Sequence, residues 1–222
     1  MFEDWLTLIG VTFAALLPIA NPFSTAPVFA AISHGMSMSR RHQQARMAGV
    51  YMAAVLLSAL IAGALVLEFF GISMPALRIA GGLVVAKVGF DMLSPRAEEA
   101  LPEQDRKEAL DMSEIAFTPI AMPLLSGPGS IAVTISMATS VDDPPEYVAI
   151  GIGIILVALI SWLILHFSSK IVDFLGNIGV NVLARLMGLI LVCIGIQFIA
   201  DGLIELITDE AIVKALHEVY LE

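Results

Sequence analysis

The sequence is short of charge and nearly empty of cysteine. Only 14% of its 222 residues are charged, against about a quarter in a soluble domain. The lone cysteine, Cys193, excludes an internal disulfide and a multi-cysteine metal site. It lies in an apolar run and is expected to pack as a small hydrophobe. Basic residues number 11 against 21 acidic ones. The densest basic cluster, Arg40 and Arg41 with Arg46, is too small to track a nucleic-acid backbone, so no nucleic-acid partner is expected. The histidines His34, His42, His166 and His217 show no pair at metal-ligand spacing, so no metal is expected. The start, Met-Phe-Glu-Asp, lacks the positive charge of a secretory signal, and the apolar run after it is too long for one.

What the chain has instead is long charge-free runs: 58% of it is hydrophobic. A membrane-spanning helix needs ~20 apolar residues. Runs of that kind cover about 5–33, 47–67, 115–141, 147–165 and 179–206, the last with Arg185 near its start. A less clean one, 73–94, holds Arg78 and Lys87. This predicts an all-α polytopic membrane protein with six transmembrane helices, in a cytoplasmic (inner) membrane. Lys and Arg in short loops set orientation. One side carries Arg40, Arg41, Arg46, Arg96, Arg106, Lys107, Lys170 and Arg185, the other Arg78 and Lys214. The first side is expected in the cytoplasm, with both termini outward. The acidic stretch 96–111 then becomes a cytoplasmic loop, and 208–222 an amphipathic helix at the outer interface.

The chain also repeats itself. Pro18-Ile19-Ala20-Asn21-Pro22 returns as Pro119-Ile120-Ala121-Met122-Pro123. More weakly, Arg78, Gly81, Gly82 and Gly89 echo Arg185, Gly188 and Gly195. The halves are 1–95 and 112–207, within one membrane domain. Three spans in each make the second half inverted relative to the first.

Both copies of the motif sit inside an apolar run. Pro18, Pro22 and Pro27 fall in the first; Pro119, Pro123 and Pro128, with Gly127 and Gly129, fall in the fourth. A helix-interior proline removes a hydrogen bond and clashes with the preceding turn. In lipid the freed backbone must find partners or line a wet cavity. Paired interrupted spans at matching positions of two halves point to a transporter binding site. Half-helix N-termini can receive a carboxylate. Unwound carbonyls with Asn21, Ser24, Thr25, Ser126 and Ser130 can receive an ammonium or a coupling cation. Pro22 opens the first half-site, and Gly127 and Gly129 are expected to let a small ligand approach the backbone.

Lys87 and Asp91 lie one helical turn apart and can pair or snorkel to the interface. Gln197 matches Asp91 in the repeat, and both are candidates for ion coupling or cavity lining. Arg78 and Arg185 are expected to anchor helix ends. Glu68, Asp201 and Glu205 are expected in water at outer ends.

Asn21-Pro22-Phe23-Ser24-Thr25-Ala26-Pro27, its partner Pro123-Leu124-Leu125-Ser126-Gly127-Pro128-Gly129, and Arg185-Leu186-Met187-Gly188-Leu189 with Gln197 resemble the MarC family of integral membrane proteins, over essentially the whole chain. The resemblance implies a six-span fold with the first and fourth helices broken. It also implies transport of small neutral amino acids such as glycine and alanine on an ion gradient, Na+ or H+, and a distant kinship with exporters of the lysine-exporter type. Carried over, its site is Asn21, Ser24 and Thr25 with Ser126, Gly127 and Gly129.

The expected partners are a small zwitterion and membrane lipids; a homo-oligomer is left open. An exporter of drugs or metabolites on the same fold is the alternative. An enzyme would need a nucleophile beside a base, or a metal, at membrane depth. The serines have neither a histidine nor paired carboxylates beside them, so neither enzymatic activity nor a cofactor is expected. A passive channel fits less well, because two broken helices favour an occluding site over a pore.

Overall fold

The computed structural model describes residues 2–94, 114–141 and 143–208, and among these all regular structure is helical. The acidic loop 96–111 and the tail after Thr208 lie outside the described residues.

The chain begins with α1 (Phe2–Ala20) and α2 (Pro22–Ile32), bent by 43° about Asn21. Asn21 adopts the left-handed region, φ 42° and ψ 58°, which Asn tolerates better than most residues. Pro22 then takes the first helical position, where a missing N–H costs nothing. α3 (Met38–Phe70) starts under a Ser37 cap and stops at Gly71, whose φ of 63° places it in the left-handed conformation that commonly ends a helix. α4 (Met74–Leu93) starts under Ser73, whose Oγ accepts from Ala76 N–H at 3.4 Å.

The second copy of the motif folds differently from the first. In α5 (Ala116–Leu125) Ile120 N–H donates to the Ile115 carbonyl at 3.4 Å and Ser126 N–H to Ala121 at 2.8 Å, both five residues back. Thr118 and Met122 are extended, at ψ 126° and 120°. Each directly precedes a proline, whose ring pushes the residue before it out of the helical region. The irregularity therefore begins before the expected break at 122–129. α6 (Pro128–Ala138) leaves α5 at 62°. α7 (Pro144–His166) follows, then α8 (Ser168–Ile207), interrupted at Gly176 with φ 59°.

α3, α7 and the 178–207 part of α8 are each long and apolar enough to cross a membrane; each bent pair adds a crossing if it counts as one span, for up to five. α4, with 20 residues, is the remaining segment and carries Arg78, Lys87 and Asp91. Large apolar side chains such as Ile61 and Phe174 are turned outward, as a lipid-facing surface requires. The core gathers Leu16, Phe29, Met52, Leu56, Ile120, Leu125, Ile150 and Ile154.

Most packing runs between the halves. α4 on α8 is the most extensive interface; α1 lies on α7 as α5 lies on α3, and α2 on α8 as α6 on α4. Likewise α2 meets α7 as α6 meets α3, and α1 meets α6 as α5 meets α2. The principal contacts are thus unchanged when the two halves are exchanged.

Along the α4–α8 seam, glycines allow backbone to meet backbone. A Cβ on Gly82 would lie 2.6 Å from the Gly195 carbonyl oxygen, and one on Gly89 would lie 2.7 Å from that of Gly188. The weak glycine echo in the sequence is therefore a packing surface of small residues.

Candidate functional site

The two helix breaks lie against each other: a Cβ on Gly129 would meet Ile19 Cγ2 at 3.4 Å, and α1 packs on α5 and α6, and α2 on α5. At the first break Asn21 is nearly buried and fully engaged. Its Oδ1 accepts from Ser24 N–H at 3.3 Å, and its Nδ2 donates to Met92 Sδ at 3.3 Å. Its carbonyl accepts from Thr25 Oγ1 at 3.2 Å. Asn21 is thus a bend residue that also caps α2. The Ser24 hydroxyl, beside it, is buried without a hydrogen-bond partner.

The second break is built differently. Gly127 precedes α6 with no capping side chain, and Pro128 stands in its first turn. The positive end of the α6 dipole is therefore not neutralised by its own chain. Ser126, immediately before it, is fully buried, and its hydroxyl has no partner. A buried hydroxyl without a partner is rare enough to need a reason. Ser130 is occupied, donating to the Leu125 carbonyl at 3.3 Å, while its own carbonyl accepts from Thr134 at 2.8 Å.

The room over both glycines is taken by the protein itself. A Cβ on Gly127 would lie 2.8 Å from the Pro123 carbonyl oxygen. One on Gly129 would lie 2.5 Å from Val85 Cγ2 and 3.4 Å from Ile19 Cγ2. Both serve close approach within the bundle, Gly129 where α1, α4 and α6 converge.

Asp91 and Gln197 are exposed, Asp91 next in sequence to Met92, whose Sδ accepts from Asn21. Gln197 donates to Asp201 Oδ1 at 2.7 Å on its own helix, so Asp201 is partnered rather than left to water alone. Lys87 and Asp91 form no ion pair with each other. Arg78 does more than anchor a helix end. Its Nη1 meets Glu205 Oε2 at 2.7 Å and its Nε donates to Ser136 Oγ at 3.0 Å, joining α4, α6 and α8. Glu205, expected in water at an outer end, is the acid of that pair, with its side chain still partly exposed.

One residue the sequence reading missed is Gln44. Its Oε1 accepts from Ile115 N–H and Ala116 N–H, both at 2.9 Å, so a side chain of α3 caps α5 from across the bundle. The available signal was register. Gln44, Ala48, Met52, Leu56 and Leu60 recur every fourth residue on the buried face of α3, while Gln43 is exposed.

Comparison with known proteins shows a family of integral membrane proteins. The family model for the MarC family integral membrane proteins matches residues 6–207. The protein named UPF0056 inner membrane protein MarC in Escherichia coli strain K12 is 41% identical over 215 residues, covering 92% of this chain and 97% of the relative. The protein of that name in Shigella flexneri matches equally. No solved structure matches.

Proposed function

The chain belongs to the MarC family of integral membrane proteins, and from that premise we propose that it is a secondary transporter of small neutral amino acids of the glycine and alanine kind. The observation that carries this reading is the matched pair of helix breaks, in contact and each holding a buried hydroxyl without a partner, Ser24 and Ser126. The two sites divide the work of holding a zwitterion. The uncapped start of α6 with Ser126 suits the carboxylate. The first break, whose Asn21 already caps α2, offers the Ser24 hydroxyl to the ammonium. The apolar, glycine-packed surroundings favour a compact substrate. A Na+ or H+ gradient would drive the cycle, and no bond-breaking chemistry is assigned.

The contact pattern that survives exchange of the halves supports six spans arranged as two inverted repeats, 1–95 and 112–207. In this reading the repeats rock against each other around the breaks. The excess of Lys and Arg on one face supports a cytoplasmic location for that face, with both termini outward.

The test is uptake of labelled glycine and alanine into proteoliposomes by the wild type and by Ser126→Ala and Ser24→Ala. Gly127→Leu is unsuitable, because it would strike the Pro123 carbonyl and disturb the turn. Ser126→Ala removes a hydroxyl that satisfies no partner, so folding should be unchanged or slightly strengthened. Uptake should nonetheless fall about tenfold, the loss of one charge-assisted hydrogen bond. Wild-type uptake by a well-folded Ser126→Ala protein would place the site elsewhere. Uptake of bulky compounds but not of glycine would favour the exporter.

A further inference from the structure

Where the first turns of α3 pass the last turn of α7, the two helices flank an open cleft of about 360 Å³. Its lining is Ser39, His42, Gln43 and Arg46 from α3 with Trp162 and His166 from α7. Every one of these can donate a hydrogen bond, and none is acidic. The His42 and His166 rings are stacked with centroids 4.0 Å apart, and the Trp162 ring meets His166 edge-on at 6.0 Å. This stack fixes the walls of the cleft. Gly49 brings the helices together just beside it, since a Cβ there would sit 3.0 Å from Trp162 Cβ. Two polar atoms of the lining, Trp162 Nε1 and His166 Nδ1, are buried with no hydrogen-bond partner.

The surroundings are cationic as well. Arg41 stands next to the cleft, donating to Ser168 Oγ at 2.8 Å, and Lys170 lies over the Phe167 ring at 5.7 Å. The acid that acts on Arg41 is Asp173, one turn beyond Lys170 on α8. The cleft's depth follows from the sequence. Arg46 directly precedes the charge-free run 47–67, and His166 directly follows the run 147–165. It therefore opens at the boundary between hydrocarbon and water, where lipid phosphates lie in either leaflet.

We propose that this cleft binds a phosphate group, supplied by the headgroup of an anionic phospholipid. Arg46 provides the charge and a planar fork of donors. Trp162 Nε1–H provides a donor that has no acceptor in the protein, and Gln43 and Ser39 complete the polar rim. The cluster is too small for a nucleic acid but sufficient for one phosphate. Basic pockets between membrane helices are a recurrent place for such headgroups.

The test uses the purified full-length chain in a neutral detergent. Thermal unfolding and native mass spectrometry would be followed against phosphatidylglycerol, phosphatidylcholine, a fatty acid and inorganic phosphate. Phosphatidylglycerol should raise the unfolding temperature in a dose-dependent way and remain bound in the gas phase; phosphatidylcholine should do so more weakly. Arg46→Gln should weaken the apparent affinity about tenfold, and Trp162→Phe, which keeps an aromatic ring on the wall and removes the N–H, about fivefold. Arg185→Gln, an exposed arginine outside the cleft, should leave it unchanged. Inorganic phosphate acting as well as phosphatidylglycerol would support the phosphate site and overturn the lipid as its source. No response of the wild type, equal affinity in Arg46→Gln and Trp162→Phe, or a fatty acid binding as well as phosphatidylglycerol would overturn the proposal.

Discussion

Gln44 and Ser126 are both buried polar residues, and they stand in opposite situations. Gln44 is satisfied twice, by Ile115 and Ala116 N–H at 2.9 Å. These are the first amides of α5, which, like those at any helix start, have no acceptor within the helix. Gln44→Leu keeps the volume and strands both, so it should destabilise the protein by about 2–4 kcal/mol. Thermal unfolding in detergent measures this, and a Gln44→Leu protein as stable as wild type would show that water replaces the cap. Ser126 has a hydroxyl that nothing in the chain uses, so its loss should appear in transport and not in unfolding. The contrast separates a residue that holds the break in shape from one free to meet a ligand.

At the scale of the element, the same five-residue motif produces two different breaks because of what precedes its second proline. Asn21 enters the left-handed region and caps the next helix, giving a sharp hinge between two regular helices. Met122 cannot do so cheaply and stays extended, and with Thr118 before Pro119 it opens α5 into wide turns. The α4–α8 pair shows the converse, a weak sequence echo that becomes the most extensive interface. Its glycines let the two backbones touch, and the Cβ of any larger residue at Gly195 would fall 2.5 Å from Ala86 N and 2.6 Å from the Gly82 carbonyl. Neither neighbour is a flexible side chain that could yield. Gly195→Leu should therefore prevent a folded, monodisperse protein, whereas Leu at Gly10, where a Cβ meets nothing within 4 Å, should be tolerated. Gel filtration of both variants checks this, and a monodisperse Gly195→Leu protein would mean the seam can open.

At the scale of the molecule, the halves interlock rather than stand side by side. The contacts between them outlast an exchange of one for the other, apart from minor ones such as α1 with α8. Orientation is a property of the whole chain, set by basic residues on its two faces. A reporter active only in the cytoplasm should stay silent when fused after Glu222 and light up when inserted in the loop before Pro102. A bright C-terminal fusion would reverse the orientation or change the number of crossings.

The sequence by itself determined the membrane class, the apolar helical segments and the position of the first break, and it placed the second without its early start at Thr118. These are consequences of local quantities: apolar length, proline placement and the residue before each proline. It also showed Asn21, Ser24 and Ser126 as residues of the breaks. Only the tertiary structure decided which polar groups are spent and which are free. Gly127 and Gly129 lie under Pro123 and Val85, Glu205 pairs with Arg78, Gln44 reaches across to α5, and the Ser24 and Ser126 hydroxyls remain without partners. Such contacts join residues 71 or 127 positions apart. An apolar alphabet carries little register information over such distances, so only the packed bundle settles which side chains meet.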